Sequence, residues 1–203
     1  MFYIGDVPAV PLIVDLPDDG AHLWTAATGK LTRPDGTTTT CTVAMDGAQL
    51  IASVTIPGPL TVPGIHRVAV TLTDSTGGKS RVPALRFAVD DDTTGWYTVD
   101  EAREDADDFR DQLTDAVLYR LLTIARNDVL AYAPALPVTT PATLPPAHYV
   151  ASQLAQAVNV WNANRVDASN GSEGDGTFTI RPFPLDWAIK QTLRPKNPLP
   201  VIG

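Results

Sequence analysis

The chain has a single cysteine, Cys41, so no internal disulfide braces it. It has only three histidines, His22, His66 and His148, and none falls in a ligand pattern such as H-E-x-x-H. There is no nucleophile elbow, no phosphate loop and no dinucleotide fingerprint. No apolar run approaches the roughly 18–20 residues that cross a bilayer. The opening MFYIGDVPAV lacks the basic start and apolar run of a secretory leader. These absences lead to the expectation of a protein made in the cytoplasm that is no enzyme, holds no metal or cofactor and does not enter a membrane. Cys41 lies in TTTTCTVAM, an alternating stretch that reads as a strand with a buried thiol.

What is present is unevenly distributed. The apolar share is 44% and the charged share 19%, enough apolar material for a core. The net charge of −8 is concentrated: residues 1–90 carry six basic and eight acidic side chains, 91–130 four and eleven, and 131–203 five and four. No basic stripe suited to gripping a nucleic-acid backbone appears. The closing stretch FTIRPFPLDWAIKQTLRPKNPLPVIG inverts the balance, with four basic residues, one acid and five prolines.

The first ninety residues read as short strands: LIVDL, HLWTAAT, TTTCTVAM, QLIASVTI, IHRVAVTLTD and SRVPALRFAV. Turn signals such as Pro34-Asp35-Gly36 and Gly77-Gly78 separate them. Strands at this spacing predict an immunoglobulin-like β-sandwich over 1–90. Its expected core is Trp24, Val43, Ile51, Val54, Val68, Val70, Leu72, Leu85 and Phe87.

The pattern changes at DDDTTG, so 91–97 read as a solvated linker. Thr98 and Glu101 then have the spacing of a capping box that opens a helix. Leu113, Val117, Leu121, Ile124, Ala125 and Leu130 recur at helical spacing, predicting one long buried helix from Phe109 to Tyr132. A proline-rich connector, 133–146, separates it from a second helix, about Ala147 to Asn164. That helix is expected to bury Val150, Leu154, Ala157, Val158 and Trp161 and to turn Gln153, Gln156 and Asn162 elsewhere. A flexible glycine-rich loop, 167–176, an extended piece and a last short helix, DWAIKQTL, follow. The expected class is therefore α+β in two domains: the sandwich at 1–90 and, after the linker, a small helical bundle at 98–180. A C-terminal helix and extended arm, 181–203, complete it.

The C-terminal half carries a resemblance. The opening Thr98-x-x-Glu101-Ala102-Arg103, two helices of which the second includes Trp161-Asn162, the run IRPFPLDWAIKQTLRPK and the final PVIG occur in this order. This order resembles the head-to-tail adaptor (head-completion or connector) proteins of long-tailed bacteriophages, over residues 95–203. The resemblance implies a virion neck protein, assembled as a homo-oligomeric ring, usually of twelve subunits, beneath the portal. It implies portal protein on one side, a stopper or tail-terminator protein on the other, and double-stranded DNA passing without sequence preference. It also implies that the C-terminal arm tethers the ring to the portal or a neighbouring subunit. The interface residues expected are Arg181, Phe183, Trp187, Lys190, Arg194, Lys196, Leu199, Val201 and Ile202. Asp105, Asp107 and Asp108 are candidates for an acidic channel lining that repels the DNA backbone.

A competing expectation is an oligomeric surface-binding module whose sandwich recognises carbohydrate or a cell-envelope component. That reading needs exposed aromatics, and only Phe2, Tyr3, Trp24 and Phe87 are available in the first domain.

Overall fold

The computed structural model describes residues 1–17, 24–46, 50–110, 113–136, 144–168 and 183–194. The chain divides into two compact units, Met1–Asp91 and Asp92–Gly203. Strands make up the first and helices the second, so the class is α+β.

Unit 1 contains β1 (Phe2–Tyr3), β2 (Leu12–Asp15), β3 (Trp24–Thr32), β4 (Thr38–Asp46), β5 (Ile51–Thr55), β6 (Gly64–Asp74), β7 (Lys79–Arg81) and β8 (Leu85–Asp90). They form a mixed sheet in the order β1-β8-β6-β3-β4-β5-β2, with β7 added beside β6. β1 pairs with β8 in parallel, while the other pairs are antiparallel. β4 changes partner along its length, bonding to β3 through Thr38–Cys41 and to β5 through Thr42–Asp46. The handover curls the sheet, so that Val14 of β2 and Val54 of β5 share one core with Leu31 of β3 and Val68, Val70 and Leu72 of β6.

The period of two is clearest in β6, where Gly64, His66, Val68, Val70 and Leu72 are buried in alternation. Of the expected core, Val54, Val68, Val70 and Leu72 are buried. Trp24, Val43, Leu85 and Phe87 pack half-buried against it, and Ile51 is also half-buried. Cys41 is buried, and that burial pushes its thiol up, which keeps it protonated and inert. Gly29 permits the close approach of β3 and β4: a Cβ there would lie 2.8 Å from Val43 Cγ2 and 3.1 Å from Cys41 Cβ. The two-residue β1 is too short to leave a periodic signal in the sequence.

Unit 2 contains α1 (Val99–Asp105), α2 (Asp115–Tyr132), α3 (Ala147–Ala168) and α4 (Trp187–Leu193), with 3-10 turns at Asp92–Thr94 and Asp107–Phe109. The capping box forms as expected: Thr98 Oγ1 accepts from the Glu101 N–H at 3.3 Å, and Glu101 Oε2 accepts from the Thr98 N–H at 2.8 Å. Arg103 then fastens the turn between α1 and α2. Its Nη1 donates to the Arg110 carbonyl at 3.1 Å, and its Nη2 donates to the Leu113 carbonyl at 2.7 Å and to Asp115 Oδ1 at 2.8 Å.

Three expectations are corrected here. The helix foreseen from Phe109 begins at Asp115, because the Asp107–Phe109 turn and the Arg103 contacts occupy the intervening chain. Its buried face is Leu118, Leu121, Leu122, Ala125 and Val129, so the apolar stripe is rotated from the expected one and Leu130 points outward. The segment 91–97 is solvated only in part: Asp92, Thr93 and Gly95 are exposed, but Trp96 is buried with Val129, Tyr149, Leu185 and Ile189, and Arg126 stacks 5.0 Å above its ring.

A fourth correction concerns α3. Gln153 and Gln156, expected to face away from the core, are buried, while Val150, Leu154 and Val158 are only half-buried. Hydrogen bonds offset the cost of this burial, made by Gln153 through both its amide oxygen and nitrogen and by Gln156 through its nitrogen. Of the connector, Ala133 is buried and the Pro134 carbonyl accepts from the Tyr149 hydroxyl at 2.8 Å. Residues 137–143 and the expected loop from 169 onward lie outside the described residues.

Candidate functional site

The last helix organises the most distinctive surface of unit 2. Asp186 caps it: Oδ1 accepts from the Ile189 N–H at 2.8 Å, and Oδ2 accepts from Asn159 Nδ2 on α3 at 2.9 Å. The Ile189 N–H bond is the first reason that the Asp186 carboxyl lies below its ordinary value; the Asn159 bond adds to it. Leu185, Ile189 and Leu193 recur at helical spacing and sink into the core with Trp96, Val129 and Tyr149. The positive ends of Lys190 and Arg194 lie 5.9 and 5.1 Å from the centre of the Tyr132 ring.

This anchoring leaves two aromatic residues outside. Trp187 is 74% exposed and Phe183 37%. A tryptophan displayed on a helix whose opposite face is fixed is a ready anchor for a partner, since large rigid aromatics carry much of the energy of protein interfaces. Among the expected interface residues, Phe183, Trp187, Lys190 and Arg194 therefore lie on or beside α4, but Lys190 and Arg194 are already engaged with Tyr132. Arg181, Lys196, Leu199, Val201 and Ile202 fall outside the described residues, as does His22.

Two hollows flank α4. The larger, about 800 Å³, runs between α3, α4 and the chain following α1, with Leu154, Val158 and Ile189 contributing apolar surface. Asp105, Asp107, Asp108 and Asp186 stand around it, so the three acids singled out in the sequence come together beside the last helix. They are not equivalent. Asp105 Oδ2 accepts from the Tyr97 hydroxyl at 2.7 Å, whereas Asp107 pairs with Arg110 at 3.0 Å and its side chain is 90% exposed. The hydrogen bond to Asp105, followed by burial, pushes the Tyr97 hydroxyl up to about 12. The smaller hollow, about 470 Å³, is bounded by Tyr132, Phe183, Pro184, Leu185 and Lys190.

Polar groups beneath this surface tie it to the bundle. Gln156 Nε2 donates to the Phe183 carbonyl at 2.8 Å, and Gln153 bridges the Tyr97 N–H and the Leu122 carbonyl at 3.0 and 3.1 Å. The sequence held one signal for these glutamines, two long amides four or fewer residues from the helix's apolar positions, but nothing in it specified their partners. Sequence reasoning also passed over Tyr97, whose proximity to Asp105 depends on the α1 turn between them.

Among the described residues no group of three or more histidine, cysteine or acidic side chains could hold a metal ion, and no helix is long and apolar enough to cross a membrane. His66 is buried and stacked on Phe87 at 5.3 Å, and His148 meets Tyr149 edge-on at 4.7 Å. In unit 1 Phe2, Trp24 and Phe87 pack half-buried against the core, and Tyr3 is half-buried as well.

No family model matches the chain, and no curated protein matches it. Among solved structures it is similar to the PKD domain from KIAA 1837 protein, determined in solution, at 18% identity and a TM-score of 0.24 over 45% of this chain and 89% of that one. A likeness of that size carries no argument, and the functional reading rests on the residues themselves.

Proposed function

We propose that the protein is a structural component of a phage virion, a head-to-tail adaptor whose helical unit assembles into a ring beneath the portal. In this reading the ring joins the DNA-filled head to stopper and tail proteins and lets DNA pass. The observation that carries it is Trp187, displayed at the surface of a helix that Leu185, Ile189 and Leu193 hold firmly to the bundle. A fixed helix with an exposed aromatic suits docking to a protein partner better than it suits chemistry. The proline-broken segment after Arg194 adds apolar side chains and one lysine, Lys196, and its prolines lower the ordering entropy that binding must overcome.

Of the acids proposed to face the channel, Asp107 is the most exposed, while Asp105 is held by Tyr97. Unit 1, whose curled sheet closes on one core, is read as an immunoglobulin-like sandwich accessory to the ring. The test is co-sedimentation with purified portal rings. The full chain should bind, Trp187→Ser together with Phe183→Ser should not, and a chain ending at Arg194 should bind more weakly. Failure of the full chain to bind would overturn the reading. Truncation before α4 is unsuitable, because it would remove Leu185, Ile189 and Leu193 from the core.

A further inference from the structure

Arg67 on β6 stands directly opposite Arg86 on β8 in the antiparallel register. Like charges so placed repel and weaken the pairing of their strands. Two more cations share this outer face. Lys30 on β3 pairs with Ala69, two residues along β6 from Arg67, and Arg81 on β7 pairs with Thr71, two further on. Arg67 and Arg81 are thus offset by about 13 Å along the strand direction. All four are exposed, while the intervening Val68 and Val70 are buried on the opposite face. None of the four has an ion-pair partner among the described residues. Asp35, in the turn between β3 and β4, is occupied by the N–H and hydroxyl of Thr37 at 2.9 and 2.7 Å.

Lys30, Arg67 and Arg81 line a concavity of about 830 Å³ in this face, with no carboxylate in its lining, and Arg86 stands outside that lining, opposite Arg67. Six threonines line the concavity: Thr28, Thr32, Thr38, Thr39, Thr40 and Thr71. We propose that this face binds a carboxylated polysaccharide, its carboxylates paired with Arg67, Arg86, Lys30 and Arg81 and its hydroxyls hydrogen-bonded to the threonines. Guanidinium groups match carboxylates in a two-point geometry. Four cations on one sheet face of a chain with net charge −8, without an ion-pair partner among the described residues, are complementary to an anion.

The alternatives fit less well. A neutral sugar would call for an aromatic platform, and no aromatic residue lines the trough. Nucleic acid would call for stacking partners or a broad positive field, and residues 1–90 carry −2 overall, from six basic and eight acidic side chains. A protein partner would call for an apolar centre, whereas the trough is lined chiefly by threonine and cations. The inference stands on unit 1 and does not depend on the adaptor reading of unit 2.

The test uses the full chain with polygalacturonate, and neutral dextran, duplex DNA and polyglutamate as competing probes. Polygalacturonate should bind, more weakly as salt rises, and neutral dextran should not. Arg67→Thr and Arg86→Thr should each weaken binding by about tenfold, the scale of one charge-assisted hydrogen bond. Arg67→Thr should also leave the melting temperature unchanged or raise it, since it removes the repulsion. The proposal is overturned by absence of polygalacturonate binding, by equal binding in the variants, or by tighter binding of DNA or polyglutamate at the same residues. A marked fall in melting temperature in Arg67→Thr would also overturn it, by making the guanidinium structural.

Discussion

Gln156 Nε2 donates to Asp128 Oδ2 at 3.0 Å, joining the middle of α3 to α2 from a fully buried position. The same nitrogen serves the Phe183 carbonyl just before α4, so one amide ties three segments together. Gln156→Ala should therefore destabilise unit 2 by about 1–3 kcal/mol, because it leaves a carboxylate and a carbonyl without their donor. Thermal unfolding followed by the helical circular-dichroism signal checks this. A loss below the error of the measurement would mean that water replaces the amide.

The capping box at the start of α1 gives a second prediction. Thr98 is buried and both of its reciprocal bonds with Glu101 are made. Thr98→Ala should cost about 1 kcal/mol, and Thr98→Ser should recover most of it. Denaturant unfolding of the two variants in parallel separates loss of the hydroxyl from loss of packing.

Tyr97 makes unit 2 sensitive to alkali. Its folded value of about 12 lies above the ordinary 10.0, through the hydrogen bond to Asp105, then burial, then the nearby negative charge. The folded state therefore holds the phenolic proton more tightly than the unfolded chain does. That stabilisation is complete below pH 10 and is lost as pH rises from 10 towards 12. Ultraviolet titration should show one of the five tyrosines ionising late, and Asp105→Asn should bring its midpoint back towards 10.

The two faces of α4 should respond oppositely to truncation. Trp187→Ser should change stability by no more than about 0.5 kcal/mol, as expected for an exposed side chain. Ile189→Ala, two residues away on the buried face, should cost about 2–5 kcal/mol. Paired melting curves and portal co-sedimentation on both variants test whether the helix is anchored by one face and binds by the other. Equal thermal losses would contradict the anchoring described here.

How much of this was legible in the sequence depended on the kind of signal. The strands of unit 1 were visible because alternation has a short period: β6 buries every second residue from Gly64 to Leu72. The start of α1 was visible because Thr98 and Glu101 meet within one turn. The face of α2 was not, because Leu118, Leu121, Leu122 and Val129 compete with Val117, Ile124 and Leu130 for nearly the same periodicity, and only the neighbouring helices decide between them. Gln153 and Gln156 read as solvent-facing because their hydrogen-bond partners are remote in sequence. Trp96 read as linker for a related reason: its burial is supplied by Val129, Tyr149 and Leu185, which follow it far along the chain. Of the candidate surface, Phe183 and Trp187 stood out in the sequence as aromatics among prolines, but their exposure beside a buried helix face, like the meeting of the three acids with α4, required the fold.

The parallel pairing of β1 with β8 has a mechanical consequence. Phe2 lies beside Val89 and Tyr3 beside Asp90, and the Ile4 N–H reaches the Asp90 carbonyl at 3.0 Å. A pull applied between Phe2 and Asp90 draws these strands past one another along their length, so their hydrogen bonds are loaded together and not peeled open singly. Rupture in that geometry is governed by the barrier to unfolding and not by equilibrium stability. The smallest strand in the molecule thus acts as a shear latch, and unit 1 would bear tension between its ends better than its two-residue closure suggests.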